Sequence, residues 1–410
     1  MNEFNKSLIL VTSQYPFNKG EEFVESELLF LSRYFKQIFI IPFWSKGGEK
    51  RSIPANCKII DINVSVKIEK KFRFLTWKHL SILIWSFSIL LKKSKSRLYY
   101  IKNFRKVLTD LVIILEESQI LCDQLKPWLN STNKIYFYWF DKPFIHFAFL
   151  KKQGKINHNL ISRGLGYDYD PIQNSLGFFP YREIELEYLD KLVLNSNYGM
   201  HLVQKLYPKH AKKFESCYLG LTSRNKLNPS NKYGVFHLVS CSYVIDIKRV
   251  HLIIDILRNI HLPVKWTHIG QGPLLNEIKG LAHTLPTNIE TEFPGYIPSV
   301  MDYYETVPCD LFITTTLMEG LPFTLMEAIS FGIPVMGTQV CGIPEIVTAD
   351  TGFLIPVEFN PASVAAIITK YATSPYEERE LLRRGAKEFF NEAFTTEKNS
   401  RHFINTYLKN

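Results

Sequence analysis

Cysteine is sparse and follows no pairing pattern. Six residues, Cys57, Cys122, Cys217, Cys241, Cys309 and Cys341, are scattered over 410 positions without a CxxC. That spacing argues against a zinc cage or a disulfide framework and leaves buried free thiols in a reducing compartment as the plain expectation. Long apolar runs are lacking too. The run from Leu80 to Leu91 is twelve residues long, short of the roughly eighteen that a spanning helix needs. The opening stretch MNEFNKSLILVTSQYPF holds a four-residue apolar run, Leu8 to Val11, before polar residues resume, so neither a signal peptide nor an anchor is expected and the protein is placed in the cytoplasm. No internal repeat or low-complexity tract is apparent.

Hydrophobic residues make up 46% of the chain and aromatics 14%, enough for sizeable cores, and the length implies two or three domains, with two as the working number. The formal charge of +10 is local. Positions 66–106 hold twelve Lys and Arg against one acid, Glu69, and the rest of the chain is close to neutral. Trp77 stands just before the apolar run inside this block and Trp85 within it, with lysines on both sides. Such a segment fits the headgroup layer of an anionic membrane, and a core helix with solvated basic flanks is the alternative. Nucleic acid is the poorer partner, because the charge surrounds one apolar block instead of lining a groove with isolated stacking aromatics.

Short β-rich runs alternate with helical periodicity from end to end. Ser7 to Ser13 reads as a strand, Glu21 to Phe35 as a helix and Gln37 to Pro42 as the next strand, with further strands at Lys134 to Phe140, Asn159 to Ser162 and Lys191 to Ser196. The polar stretch Thr222 to Lys232 reads as a linker. A second series of strand and helix pairs follows, which makes a doubly wound parallel sheet. The fold class expected is therefore α/β, two Rossmann-like domains facing a cleft. Their bounds are 1–221 and 222–388, with a closing helical segment, 389–410, returning to the first domain.

Chemistry concentrates in EGLPFTLMEAISFGIPV, Glu319 to Val335. Ligands of parallel sheets gather at the carboxyl ends of strands. There Gly320 lets the backbone approach closely, Pro322 fixes a turn, and a helix starting near Phe323 presents N–H groups suited to phosphate. Glu327 within that helix is placed to chelate a vicinal diol such as a ribose, and Glu319 to meet a second sugar. Taken alone, the two glutamates also suit a helix-dipole partner and a solvated loop residue. HIGQGPL, His268 to Leu274, brings Gly270 and Gly272 to the same sheet edge. It has Leu275 where a nicotinamide-binding fingerprint needs a third glycine. Lys248 and Arg249 sit at a loop-to-helix junction where cations neutralise a leaving diphosphate, though a surface pair is the plainer reading. GYIP, with Tyr296, and CGIPE add turns beside them. In the first half, Gly20 precedes a helix start.

These elements, in this order over about 120 residues, resemble the retaining glycosyltransferases of family four, part of glycosyl transferases group 1, which have the GT-B fold. TSQYPFNKGEEFVESE and ISRGLGYDYD resemble the family more loosely. The resemblance implies a nucleotide-sugar donor, UDP- or GDP-linked, on the second domain and an acceptor on the first, with no metal and no further cofactor. Glu327 would hold the ribose, Glu319 the donor sugar and Lys248 the diphosphate, while backbone from Leu321 to Thr324 touches phosphate or sugar. Two departures stand out. Ser242 and Tyr243 occupy the region of a usual arginine, leaving Arg249 to compensate, and Leu165 replaces a usual histidine, leaving Arg163, Asp168 or His146 to act in the cleft. Asp168 to Asp170 also resembles a metal-binding DxD. The expected activity is transfer of a sugar to a lipid-linked or cell-surface glycan at the cytoplasmic membrane face. The alternatives are a non-catalytic GT-B subunit and a sugar-nucleotide epimerase.

Overall fold

The computed structural model describes residues 4–18, 20–45, 47–64, 94–130, 132, 134–174, 179–232 and 234–409. The chain forms two compact units, one of residues 1–194, 200–216 and 401–410, the other of residues 195–199 and 217–400.

In the first unit β1 (Phe4–Thr12), α1 (Glu22–Tyr34) and β2 (Phe35–Pro42) make a strand-helix-strand crossover with parallel strands, followed by β3 (Cys57–Ile59), the long helix α2 (Ser94–Leu129) and β4 (Lys134–Phe137). Then come α3 (Lys142–Lys152), β5 (Asn159–Gly164), α4 (Arg182–Tyr188), β6 (Lys191–Leu194), α5 (Asn197–Leu206), whose first three residues belong to the second unit, and β7 (Phe214–Ser216). All strand pairs are parallel, in the order β3-β2-β1-β4-β5-β6-β7. Leu8, Ile9, Leu10 and Val11 are all buried, the continuous apolar run expected of a strand covered on both faces.

The second unit contains β8 (Phe236–Cys241), α6 (His251–Leu257), β9 (Val264–Ile269), α7 (Leu275–Ala282), β10 (Ile289–Gly295), α8 (Val300–Thr306) and β11 (Leu311–Thr314). It continues through α9 (Phe323–Ser330), β12 (Val335–Thr338), β13 (Gly352–Ile355), α10 (Pro361–Ala372), α11 (Tyr376–Ala393) and α12 (Thr396–Phe403), whose end passes into the first unit. The sheet order is β10-β9-β8-β11-β12-β13. Two cores flank it, and the period of two along a strand sorts residues between them. Leu238, Leu311 and Ile313 pack with Trp266 and Ile254 on one face, whereas Val239 and Phe312 pack with Ile329, Phe331 and Phe390 on the other. Each large side chain buried this way contributes about 1.5–3 kcal/mol.

Several expectations need correction. The stretch Thr222 to Lys232 is fastened to the second unit and is no linker. Asn228 is buried, its amide nitrogen donating to Tyr304 O at 2.6 Å and Val307 O at 2.8 Å and its oxygen accepting from Cys309 N at 2.8 Å. The closing segment does not return to the first unit from residue 389. Phe390 and Phe394 pack in the second unit, and the passage back begins at Arg401. Strands β3, β7 and β13 were not anticipated, being too short for their periodicity to register. Of the basic block, 66–93 lies outside the described residues. Positions 94–106 fall in α2, the side chains there also outside them. Among the described residues, no helix is long and apolar enough to cross a membrane.

Candidate active site

Strands β8 and β11 are neighbours whose outer partners, β9 and β12, lie on opposite sides. Such a switch of direction opens a crevice at the carboxyl ends of the strands, where parallel sheets bind ligands. The loops leaving β8 and β11 are stitched together there, Leu317 N and the Thr316 hydroxyl both donating to Ile247 O, at 2.8 and 3.1 Å. Across this seam the ammonium of Lys248 pairs with the carboxylate of Glu319, both partly exposed.

The turn after Glu319 leads to Pro322, the N-cap of α9, and the amides of Leu325 and Met326 fold back on Pro322 O at 3.2 and 3.3 Å. The backbone from Leu321 to Thr324 thus forms the positive end of a helix, the natural seat of an anion. The CGIPE loop braces the turn. A side chain at Gly342 would put its Cβ 2.0 Å from Gly320 O, so only glycine permits this approach. The GQGP loop is braced likewise: a Cβ at Gly272 would lie 2.4 Å from Val244 O, and Gly270 N donates to Gly295 O at 2.9 Å.

Glu327 lies in the second turn of α9, deeper than a first-turn placement. Its carboxyl is partly exposed yet has no hydrogen-bond partner among the described residues, and desolvation by burial pushes its pKa up to about 7. The Cys241 thiol, pushed up to about 12 by burial and then by Glu327, and the buried Tyr304 hydroxyl share this neighbourhood. A desolvated carboxylate with no partner among the described residues has oxygens able to accept from hydroxyls. Lys248, Glu319, Gly320, Leu321, Pro322, Phe323, Thr324, Gly270 and Gly272 are thus gathered around one switch point, with Glu327 behind them. Tyr296 and Tyr243, 57% and 56% exposed, stand on the loops after β10 and β8.

Other expected site residues serve the fold. Arg249 is buried, donating to Thr315 O and Val357 O at 2.8 Å and pairing with Glu358, so it cannot stand in for a phosphate-binding arginine. Arg163 is buried against Glu27 at 3.0 Å, donates to the Tyr136 hydroxyl at 2.8 Å and lies over the Phe403 ring. The carboxylate of Asp168 is also buried and accepts from the amides of Phe140, Leu165 and Gly166 at 2.9–3.0 Å. Neither has the free valence a catalytic role needs. Asp170 caps Ile172 N at 3.0 Å, which disposes of the DxD reading, and among the described residues no acid, His or Cys cluster could hold a metal. His146 is buried beside Ser118 and Ile114 O and stacks on Phe43. Gly20, at φ 110°, precedes α1 in the first unit.

Some participants escaped the sequence reading. Glu345 of CGIPE accepts from the amides of Asn197 and Tyr198 at 2.8 Å and from the Tyr218 hydroxyl at 2.9 Å. Nothing local signals it, since its partners are remote in sequence. Tyr304 and Cys241 carry no motif.

Two doubly wound parallel sheets in one chain, the second with an anion seat at its switch point, define a GT-B protein. The lipopolysaccharide outer core galactosyltransferase WaaB has this fold (TM-score 0.65, 12% identity, covering 97% of this chain and 99% of that one), as does HepE of Anabaena, solved with UDP and glucose (TM-score 0.62, 14% identity, 97% and 98%). Residues 225–389, within this second unit, match the model of glycosyl transferases group 1. A protein named for colanic acid biosynthesis, the glycosyltransferase WcaL of Salmonella typhimurium, is 27% identical over 161 residues, 37% of this chain and 39% of that relative's own length.

Proposed function

We propose that the protein is a glycosyltransferase of polysaccharide biosynthesis that moves a sugar from a nucleotide-sugar donor, UDP- or GDP-linked, to a lipid-linked or cell-surface glycan acceptor. The observation that carries this reading is the convergence of Lys248, Glu319, the α9 N-terminus and the unpartnered Glu327 at one switch point. The α9 amides and Lys248 take the diphosphate, Glu327 the ribose diol and Glu319 the hydroxyls of the transferred sugar. Binding separates the Lys248–Glu319 pair, freeing the ammonium to neutralise charge that develops on the leaving phosphate. Reaction proceeds with retention: the acceptor oxygen attacks the face the phosphate leaves, and the departing phosphate oxygen takes the acceptor proton, so no metal is needed. WcaL and WaaB, by their names, point to surface polysaccharides. The basic block at 66–106 supports a place on the inner face of the cytoplasmic membrane.

A panel of UDP-, GDP- and dTDP-sugars screened by thermal shift identifies the donor, since a cognate ligand stabilises the fold by mass action. Product anomers read by NMR then report the stereochemistry. No stabilisation by any nucleotide sugar refutes the reading. Binding without hydrolysis or transfer favours instead a non-catalytic subunit, a reading that the structural employment of Arg163 and Asp168 keeps in view.

A further inference from the structure

The first sheet has its own switch point, between β1 and β4, whose other partners β2 and β5 lie on opposite sides. The loops leaving β1, β4 and β5 meet there. The Glu21 carboxylate holds the first of them, accepting from the amides of Ser13, Gln14 and Tyr15 at 3.1, 2.7 and 2.6 Å, and it also accepts from the indole N–H of Trp139 at 2.6 Å. That last bond fixes the orientation of the Trp139 ring, which lies 5.1 Å from the ring of Tyr167 and meets Phe23 edge-on. Tyr167 is 47% exposed, a large aromatic that the core does not claim.

Beside these rings stands Asp141, at the N-cap of α3, and it caps nothing: its side chain makes no hydrogen bond to the helix, nor to any other described residue. It is only partly exposed. Burial, and then the carboxylates of Asp168, Glu185 and Glu21 against the opposing Arg182, push its pKa up to about 7. The Tyr167 phenol is raised by burial and then by Asp141, which places the two groups near each other. Asp168, by contrast, spends its oxygens on three amides. Asp141 is therefore a desolvated acid with no hydrogen-bond partner among the described residues, at the place in a parallel sheet where ligands bind, beside exposed aromatic surface.

We propose that Trp139, Tyr167 and Asp141 form the acceptor subsite, with a neutral hexopyranose ring stacked on the aromatic faces while the Asp141 carboxyl binds its hydroxyls. An aromatic face suits the C–H surface of a pyranose, and a carboxyl oxygen suits its hydroxyl edge. The surrounding acids disfavour uronic or phosphorylated sugars. This subsite rests on the glycosyltransferase reading for its role, though its sugar binding can be tested separately.

The test uses the full chain. Saturation-transfer NMR with octyl glucopyranoside, galactopyranoside and mannopyranoside, below their micelle concentrations, measures sugar binding. Calorimetry with UDP and GDP measures the donor site. At least one glycoside is expected to bind the wild type, with Asp141→Asn and Tyr167→Ala each weakening it tenfold or more and Tyr167→Phe keeping most of it. Asp141→Asn is expected to leave the melting temperature level or higher and nucleotide affinity unchanged, which separates lost binding from lost folding. Undiminished glycoside binding in both weakened variants, or no binding of any glycoside to the wild type, overturns the subsite. Failure of both nucleotides to bind the wild type overturns the donor reading instead.

Discussion

Replacing Glu327 by Gln isolates the cost of keeping an unpartnered carboxyl at the candidate donor site. Burial raises its pKa from 4.5 to about 7, and each unit corresponds to about 1.4 kcal/mol, so the ionised group opposes folding by up to about 3 kcal/mol once the pH passes 7. The folded state binds the proton more tightly than the unfolded chain. Stability from this group is thus greatest below about pH 4.5 and is lost as the pH rises through about 7. Glutamine has no charge to desolvate. Glu327→Gln is therefore expected to gain about 1–3 kcal/mol at pH 8, roughly 2–4 °C in Tm per kcal/mol for a unit of this size, and close to nothing at pH 4.5. The same variant should bind the cognate nucleotide sugar at least tenfold more weakly in calorimetry, because an amide accepts the diol less strongly than a carboxylate. Thermal unfolding at the two pH values decides the matter. A lower Tm at pH 8 would mean that the carboxylate already has a stabilising partner, and the reasoning behind its donor role would fail.

Other substitutions probe the remaining assignments. Arg163→Met leaves Glu27 buried and uncompensated and should cost about 3–5 kcal/mol in urea unfolding, with Arg163→Met/Glu27→Met recovering much of the loss; a cost below 1 kcal/mol, coupled to lost turnover, would return Arg163 to the chemistry. Gly342→Ala drives a methyl against Gly320 O and should displace the Glu319 turn, costing about 1–3 kcal/mol and tenfold in nucleotide affinity, and unchanged affinity would detach the CGIPE loop from the site. Replacing Lys92, Lys93, Lys95 and Arg97 with glutamine should reduce sedimentation with anionic liposomes, and undiminished sedimentation would remove the basic block from membrane binding.

Much of the second sheet was legible because its signals are local. Helix α9 begins at Phe323, where Gly-Leu-Pro placed it, and the GQGP and CGIPE glycines lie where backbone must approach backbone. Lys248 and Glu319 meet because the strands that carry their loops are adjacent, a pairing that alternating strands and helices make predictable. The first unit was harder to read. Its candidates, Arg163 and Asp168, were chosen as polar residues near a strand end, and that position alone does not say which way a charge is satisfied.

What the chain determined by itself was the alternation of strand and helix, and the turns that put glycine, proline and glutamate at one sheet edge. These depend on periodicity and on φ and ψ preferences, which act over a few residues. Tertiary structure decided which charges are spent and which remain available. Arg163 is neutralised by Glu27 from a distant helix, and Asp168 by amides from two loops, whereas the carboxyls of Asp141 and Glu327 have no hydrogen-bond partner among the described residues. A side chain's electrostatic fate depends on groups that folding brings near it, and those lie far away along the sequence.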